Sequence, residues 1–251
     1  MTDRLYSWGN PLSFAKFLDH TWVTTYEMTP KQPDGSAYWY CWGIKHDTYR
    51  AQLSQSDGAR DLAEKISPAN TPALPSGQSH DQPSDTSGAI VYYGLDGVCH
   101  NVANEVLAVT ATTDTEPARV SEAHGYPLST FLFGTYGLNT DAWNALVKAH
   151  LSGLKLAGDD FIPIMEAAVS PDKQAGVLEI RANVQAEIKA IRARVVAEQF
   201  DYYVELGKKV VAALIKLRGH LGHDEFYALF PSLSRESLDH ENADWLRPPL
   251  G

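Results

Sequence analysis

The sequence predicts an α+β protein: an antiparallel sheet packed on a helix that carries a nucleophile, followed by a helical C-terminal region. Three observations predict it. Two aromatic and β-branched runs near the N-terminus, 20–26 and 36–44, are separated by turn residues. An apolar stretch turns through Gly94 and Gly97 into a helix that opens around Cys99. From 170 to 219 strand signals vanish, while apolar residues recur three and four apart.

The elements follow in order. Residues 11–18 are expected as a short helix leading into the first strand, 20–26. Between the two strands lie Pro30, Pro33 and the pair Asp34-Gly35, which predict an antiparallel hairpin with a long connection. Folded that way, the hairpin sets His20 opposite 43–46, within reach of His46. A short helix is expected over 58–66. Residues 67–88 are dominated by Ser, Pro, Asp, Gly, Gln and Asn, too polar to bury a core, and read as a flexible surface loop.

Residues 89–93 read as a buried strand, and 97–110 as a helix capped by Asp96, with Val98, Val102, Val106 and Leu107 at helical spacing. The run 127–136 reads as another strand, with Phe131 and Phe133 on one face and Leu132 on the other. A helix over 139–154 is capped by Asn139 or Thr140. Ser170 and Pro171 supply a cap and a first-turn proline for a long helix through 194. A second helix begins at Phe200, Tyr202 and Tyr203 and ends near Gly219, so the two form a hairpin. A last short helix spans 224–230. These elements divide the chain into 1–158, with the sheet, the Cys99 helix and the loop 67–88, and 159–251, the helical hairpin region.

A chain of 251 residues with 44% hydrophobic and 21% charged residues has the composition of an ordinary globular protein. Its net charge of -10 argues against a nucleic-acid partner, because phosphate neutralisation needs clustered Lys and Arg. No apolar run approaches the ~18 residues of a membrane span, and no secretory signal is evident, so a cytoplasmic location is expected. Two cysteines, Cys41 and Cys99, rule out a disulfide framework and every all-cysteine zinc site. No cofactor and no metal is expected.

The chemistry centres on Cys99. A thiol in the first turn of a helix faces backbone N–H groups that have no intrahelical partner, and it sits at the positive end of the dipole. Both favour thiolate, and the same donors suit an oxyanion. His20, on a separate strand, is the candidate base, with His46 as the third residue and Tyr40 in reserve. His100 diverges from Cys99 by about 100° around the helix, which argues against it as the base. Asp19 points to the strand face opposite His20. Asn101 and Asn104 either line the site or face solvent. The plain alternative is a buried thiol beside a strand-end histidine.

The order of a histidine-bearing strand, an aromatic partner strand and then Gly97-Val98-Cys99-His100-Asn101-Val102-Ala103-Asn104 resembles the circularly permuted branch of the NlpC/P60 papain-like superfamily, which includes lecithin:retinol acyltransferase-like proteins. The resemblance covers 12–137. It implies a papain-like core and a thiol hydrolase or acyltransferase acting on an amide, peptide or ester through a thioester, with Cys99 as nucleophile, His20 as base and His46 as the polar third residue. Its partners would be a small-molecule, peptide or acyl substrate. The competing expectation is a non-catalytic interaction protein that uses its C-terminal helices. There, basic residues such as Arg181, Lys189 and Lys209 form either a solvated face or a surface for a partner, including a second copy of the chain.

Overall fold

The computed structural model describes residues 6–11, 15–24, 50–54, 94–108, 117–138, 158–198 and 202–233. The expected strands 36–44 and 89–93, the helices 58–66 and 139–154, the loop 67–88 and His46 lie outside them. The described chain is mostly helical, which overturns the α+β class and its papain-like sheet. Six helices make up most of it: α1 (Cys99–Leu107), α2 (Tyr126–Phe133), α3 (Phe161–Ala168), α4 (Pro171–Glu198), α5 (Tyr203–Leu221) and α6 (His223–Leu229). The described strands are three short segments, β1 (Tyr6–Pro11), β2 (Asp19–Thr24) and β3 (Arg50–Ser54). They pair antiparallel in the order β2-β1-β3, with Asn10 opposite His20.

Two local corrections explain the change of class. Pro11 ends a strand rather than opening a helix, and 15–18 is a turn closed by the Leu18 N–H on the Ala15 carbonyl, at 2.8 Å. The expected strand 127–136 is instead helix α2. Seven of the eight α2 residues are buried, so its sequence has no polar stripe and its apolar run fits either a strand or an enclosed helix. Pro127 in the first turn suits a helix start. Gly125 precedes it at φ +81°, where a Cβ would also stand 2.2 Å from Leu18 Cδ2. Within the helix, the Thr130 hydroxyl donates back to the Tyr126 carbonyl, at 3.1 Å.

Helices α4 and α5 form an antiparallel hairpin, with Lys173 Nζ 3.0 Å from the Leu221 carbonyl at one end and Arg194 paired with Glu205 at 2.7 Å near the other. The buried positions have the same spacing on both helices: Val177, Ile180, Val184, Ile188, Ile191 and Val195 face Tyr203, Leu206, Val210, Leu214, Leu217 and Leu221. Steps of three and four keep one stripe turned inward, and each such aliphatic contributes roughly 1.5–3 kcal/mol on burial.

Helix α2 lies at the centre, against α1, α3 and α4. Phe131 packs on Phe161 and Phe230, with ring centroids at 5.3 and 5.7 Å. A single hydrophobic cluster runs from Ala15 and Leu95 through α2 and α3 to the hairpin and Leu233. None of the described helices is long and apolar enough to cross a membrane.

Candidate functional site

Helix α1 begins where the turn closed by the Gly94 N–H on the Gly97 carbonyl (2.8 Å) ends. Its cap is Asn101, whose Oδ1 accepts the Val98 N–H at 2.9 Å while its own N–H donates to the Val98 carbonyl at 3.0 Å. Asp96 does not fill that place. Its carboxylate pairs with Arg192 on α4.

Cys99 is therefore the first residue of α1, as the sequence suggests, and the helix packs on β2. The thiol is 4% exposed and donates to the Asp19 carbonyl at 3.6 Å, one residue before His20, itself 3% exposed. The fold thus brings the Cys99 helix against the His20 strand. A carbonyl can only accept, so the bond holds the proton on sulfur.

His100 meets the same carbonyl, with Nε2 at 2.9 Å. Nε2 must then carry the ring hydrogen, and Nδ1 accepts from the Ser129 hydroxyl at 2.9 Å. Burial lowers the His100 pKa to about 4, against the opposing pull of the Asp19 carbonyl and carboxylate. Both ring nitrogens are engaged away from the sulfur, so His100 does not serve Cys99 as a base. The Asp19 carboxylate turns to His124, accepting its N–H at 2.9 Å and facing Nδ1 at 3.6 Å.

The two asparagines of α1 are struts. Asn101 Nδ2 donates to the Gly134 carbonyl at 2.8 Å. Asn104 Nδ2 donates to the Thr135 carbonyl at 2.9 Å and the Tyr126 hydroxyl at 3.0 Å, while its Oδ1 accepts the Val120 N–H at 2.9 Å. Tyr126 donates in turn to Asp160, which also pairs with Arg119. Burial, followed by the Asp160 charge, raises the Tyr126 pKa. Glu105 is 1% exposed, and among the described residues neither of its oxygens has a hydrogen-bond partner. Burial first, and the Asp96 charge second, push its pKa well above the usual carboxylate range.

The segment braced by Asn101 and Asn104 forms one wall of a cleft of about 260 Å³. That wall runs from Phe133 to Leu138, with Gly134 at φ +73°, where the chain leaves α2. Gly158 and Asp159 close one side, and α4 supplies Arg181, Gln185 and Lys189, four residues apart on one face. The Arg181 guanidinium meets both oxygens of Asp159, at 2.5 and 2.9 Å, and the carbonyls of Phe131 and Thr130, at 3.1 and 2.9 Å. It also lies over the Phe161 ring, 4.7 Å from the centroid.

Sequence reasoning named Arg181 and Lys189 only as part of a basic helix face, and left Asn101 and Asn104 undecided. The one signal that could have singled out the cleft is the spacing of Arg181, Gln185 and Lys189 between apolar positions. Among the described residues no three His, Cys, Asp or Glu side chains gather as metal ligands. No protein-family model, no curated protein and no solved structure matches this chain, so its function is argued from these contacts alone.

Proposed function

We propose that this chain is a non-catalytic interaction protein whose working surface is built on its C-terminal helices, with Cys99 a structural thiol. The observation that carries the reading is the bond from Cys99 to the Asp19 carbonyl: the thiol is buried, and its hydrogen is directed at an acceptor that stabilises thiol over thiolate. The neighbouring groups support it. His100 and Ser129 bond to each other, Asp19 bonds to His124, and both asparagines of α1 brace backbone. The side chains of Cys99, His100, Ser129 and Asp19 at this seam are thus bonded to one another and to backbone.

The thiol-enzyme reading keeps one point in its favour, the packing of the Cys99 helix on the strand that bears His20. Alkylation separates the two. The rate of Cys99 modification is followed against pH by peptide mass spectrometry, in the parent chain and in His20→Ala. The expected result is slow modification that is insensitive to His20→Ala. Rapid modification well below pH 8, slowed by His20→Ala, would replace this reading with an activated Cys99–His20 pair.

A further inference from the structure

We propose that the cleft between the Gly134–Leu138 wall and α4 binds a small metabolite bearing a single oxyanion, a carboxylate or a phosphate ester, held by Lys189 and by donors of Gln185 and Arg181. The donor count supports this. Arg181 has five N–H groups, and four are spent: Nε on Phe131, the two on Nη2 on Thr130 and Asp159, and one of the two on Nη1 on Asp159. The second Nη1 hydrogen remains, on a residue that is 8% exposed and lines the cleft. Gln185 spends one amide hydrogen on the Phe131 carbonyl at 3.3 Å and keeps the other. Lys189 has no ion-pair partner among the described residues, whereas Arg192, Arg194 and Lys209 on the same hairpin all do.

Charge and volume define the ligand. Asp159 neutralises Arg181, so among the described lining residues the uncompensated charge is the Lys189 ammonium, which suits one anionic group rather than a polyanion. At about 260 Å³ the cleft lies just below the ~300–1,000 Å³ of drug-sized ligand pockets, which suits a small metabolite rather than a peptide segment. Helical rise sets the Cα atoms of Arg181 and Lys189 about 12 Å apart, so the ligand's anionic end lies at Lys189 and a neutral acceptor reaches toward Arg181. Phe133 and Tyr136 belong to the opposite wall, where their own burial fixes its shape. The wall itself is held by Asn101 and Asn104 from below, so the cleft is formed before a ligand arrives. The site does not depend on the reactivity of Cys99.

The test uses the full chain, labelled with nitrogen-15, and three probes: phenyl phosphate, benzoate and uncharged benzyl alcohol. Phenyl phosphate and benzoate should shift the amide signals of Gly134, Thr135, Tyr136 and Gly158 in a saturable way, with benzyl alcohol leaving them in place. The stronger of the two anions identifies the source of the oxyanion. Lys189→Met, at an exposed position that the fold does not require, should weaken binding about tenfold, and Lys216→Met on α5 should leave it unchanged. Absence of saturable shifts for both anions, equal binding of benzyl alcohol, or equal loss in the two lysine variants would overturn the proposal.

Discussion

The Cys99 thiol and the His100 imidazole both end on the backbone carbonyl of Asp19, at 3.6 and 2.9 Å. Two adjacent residues that could do acid–base or nucleophilic work therefore tie the start of helix α1 to strand β2. The carbonyl accepts both hydrogens, and the hydrogen bond on the far side of His100 reaches Ser129 in α2. One residue pair thus joins three elements, and the Cys99 bond lasts only while the sulfur carries its hydrogen.

The neutral state of His100 has a pH signature. Its pKa is lowered from 6.5 to about 4, so the unfolded chain binds the extra proton first, and stability is lost as pH falls from 6.5 toward 4. The full effect is on the order of 3 kcal/mol. Glu105 acts with the opposite sign. Its pKa is raised, so the folded chain keeps the proton longer, and stability is lost as pH rises above 4.5 through the raised value. Where the two ranges overlap above pH 4.5, the slopes oppose each other. Glu105→Gln should therefore expose the His100 slope, with stability falling more steeply as pH drops from 6.5, as read by denaturant unfolding at a series of pH values.

Asn104→Ala should destabilise the chain by about 2–3 kcal/mol, because it leaves the buried Val120 N–H without its acceptor and takes a donor from both the Thr135 carbonyl and the Tyr126 hydroxyl. Asn101→Ala should cost less, about 1–2 kcal/mol, since Val98 and Gly134 lie at more open positions. Urea midpoints at pH 7 would rank the two, and the prediction fails if the order is reversed.

Arg181→Met should cost about 3 kcal/mol although it preserves the apolar stem. It removes the donors from two carbonyls at the C-terminal end of α2 and leaves Asp159 without its cation. Asp159→Asn should cost less, because that carboxylate is partly exposed while Arg181 is buried. Thermal unfolding of the two variants beside the parent chain checks the ordering.

Gly125→Ala should destabilise by about 2 kcal/mol or more, combining a left-handed backbone with a Cβ that must displace Leu18 and crowd the Phe17 carbonyl at 3.2 Å. Gly219→Ala, in open space on α5, should instead be neutral or mildly stabilising. Equal effects at the two glycines would contradict the packing of the Phe17–Leu18 turn on the start of α2.

How much of this was legible in the sequence depended on whether an element has a solvent side. The α4–α5 hairpin has one, and its apolar steps of three and four appear directly in Val177 to Val195 and Tyr203 to Leu221. Helix α2 does not, and burial on every side erased the contrast between 3.6 and 2 on which the strand expectation over 127–136 rested. Strand β1 carries Gly9, Asn10 and Pro11, residues with poor strand preference, and depends on pairing with β2 and β3. At the site, the glycines and the helix start before Cys99 were readable because they are local. The uses made of His100, Asn104 and Arg181, and the brace from Asn101 to Gly134, were not, since each reaches partners 16 to 81 positions away.

Cys99 is part of the packing between α1 and β2. The most direct measurement is the rate of Cys99 alkylation at fixed pH across a denaturant series, set beside the unfolding curve of the same chain. A labelling rate that stays low in the folded protein and rises in step with global unfolding is the predicted result. Labelling that is fast without denaturant and indifferent to it would contradict a structural thiol and return Cys99 to the role of a reactive one.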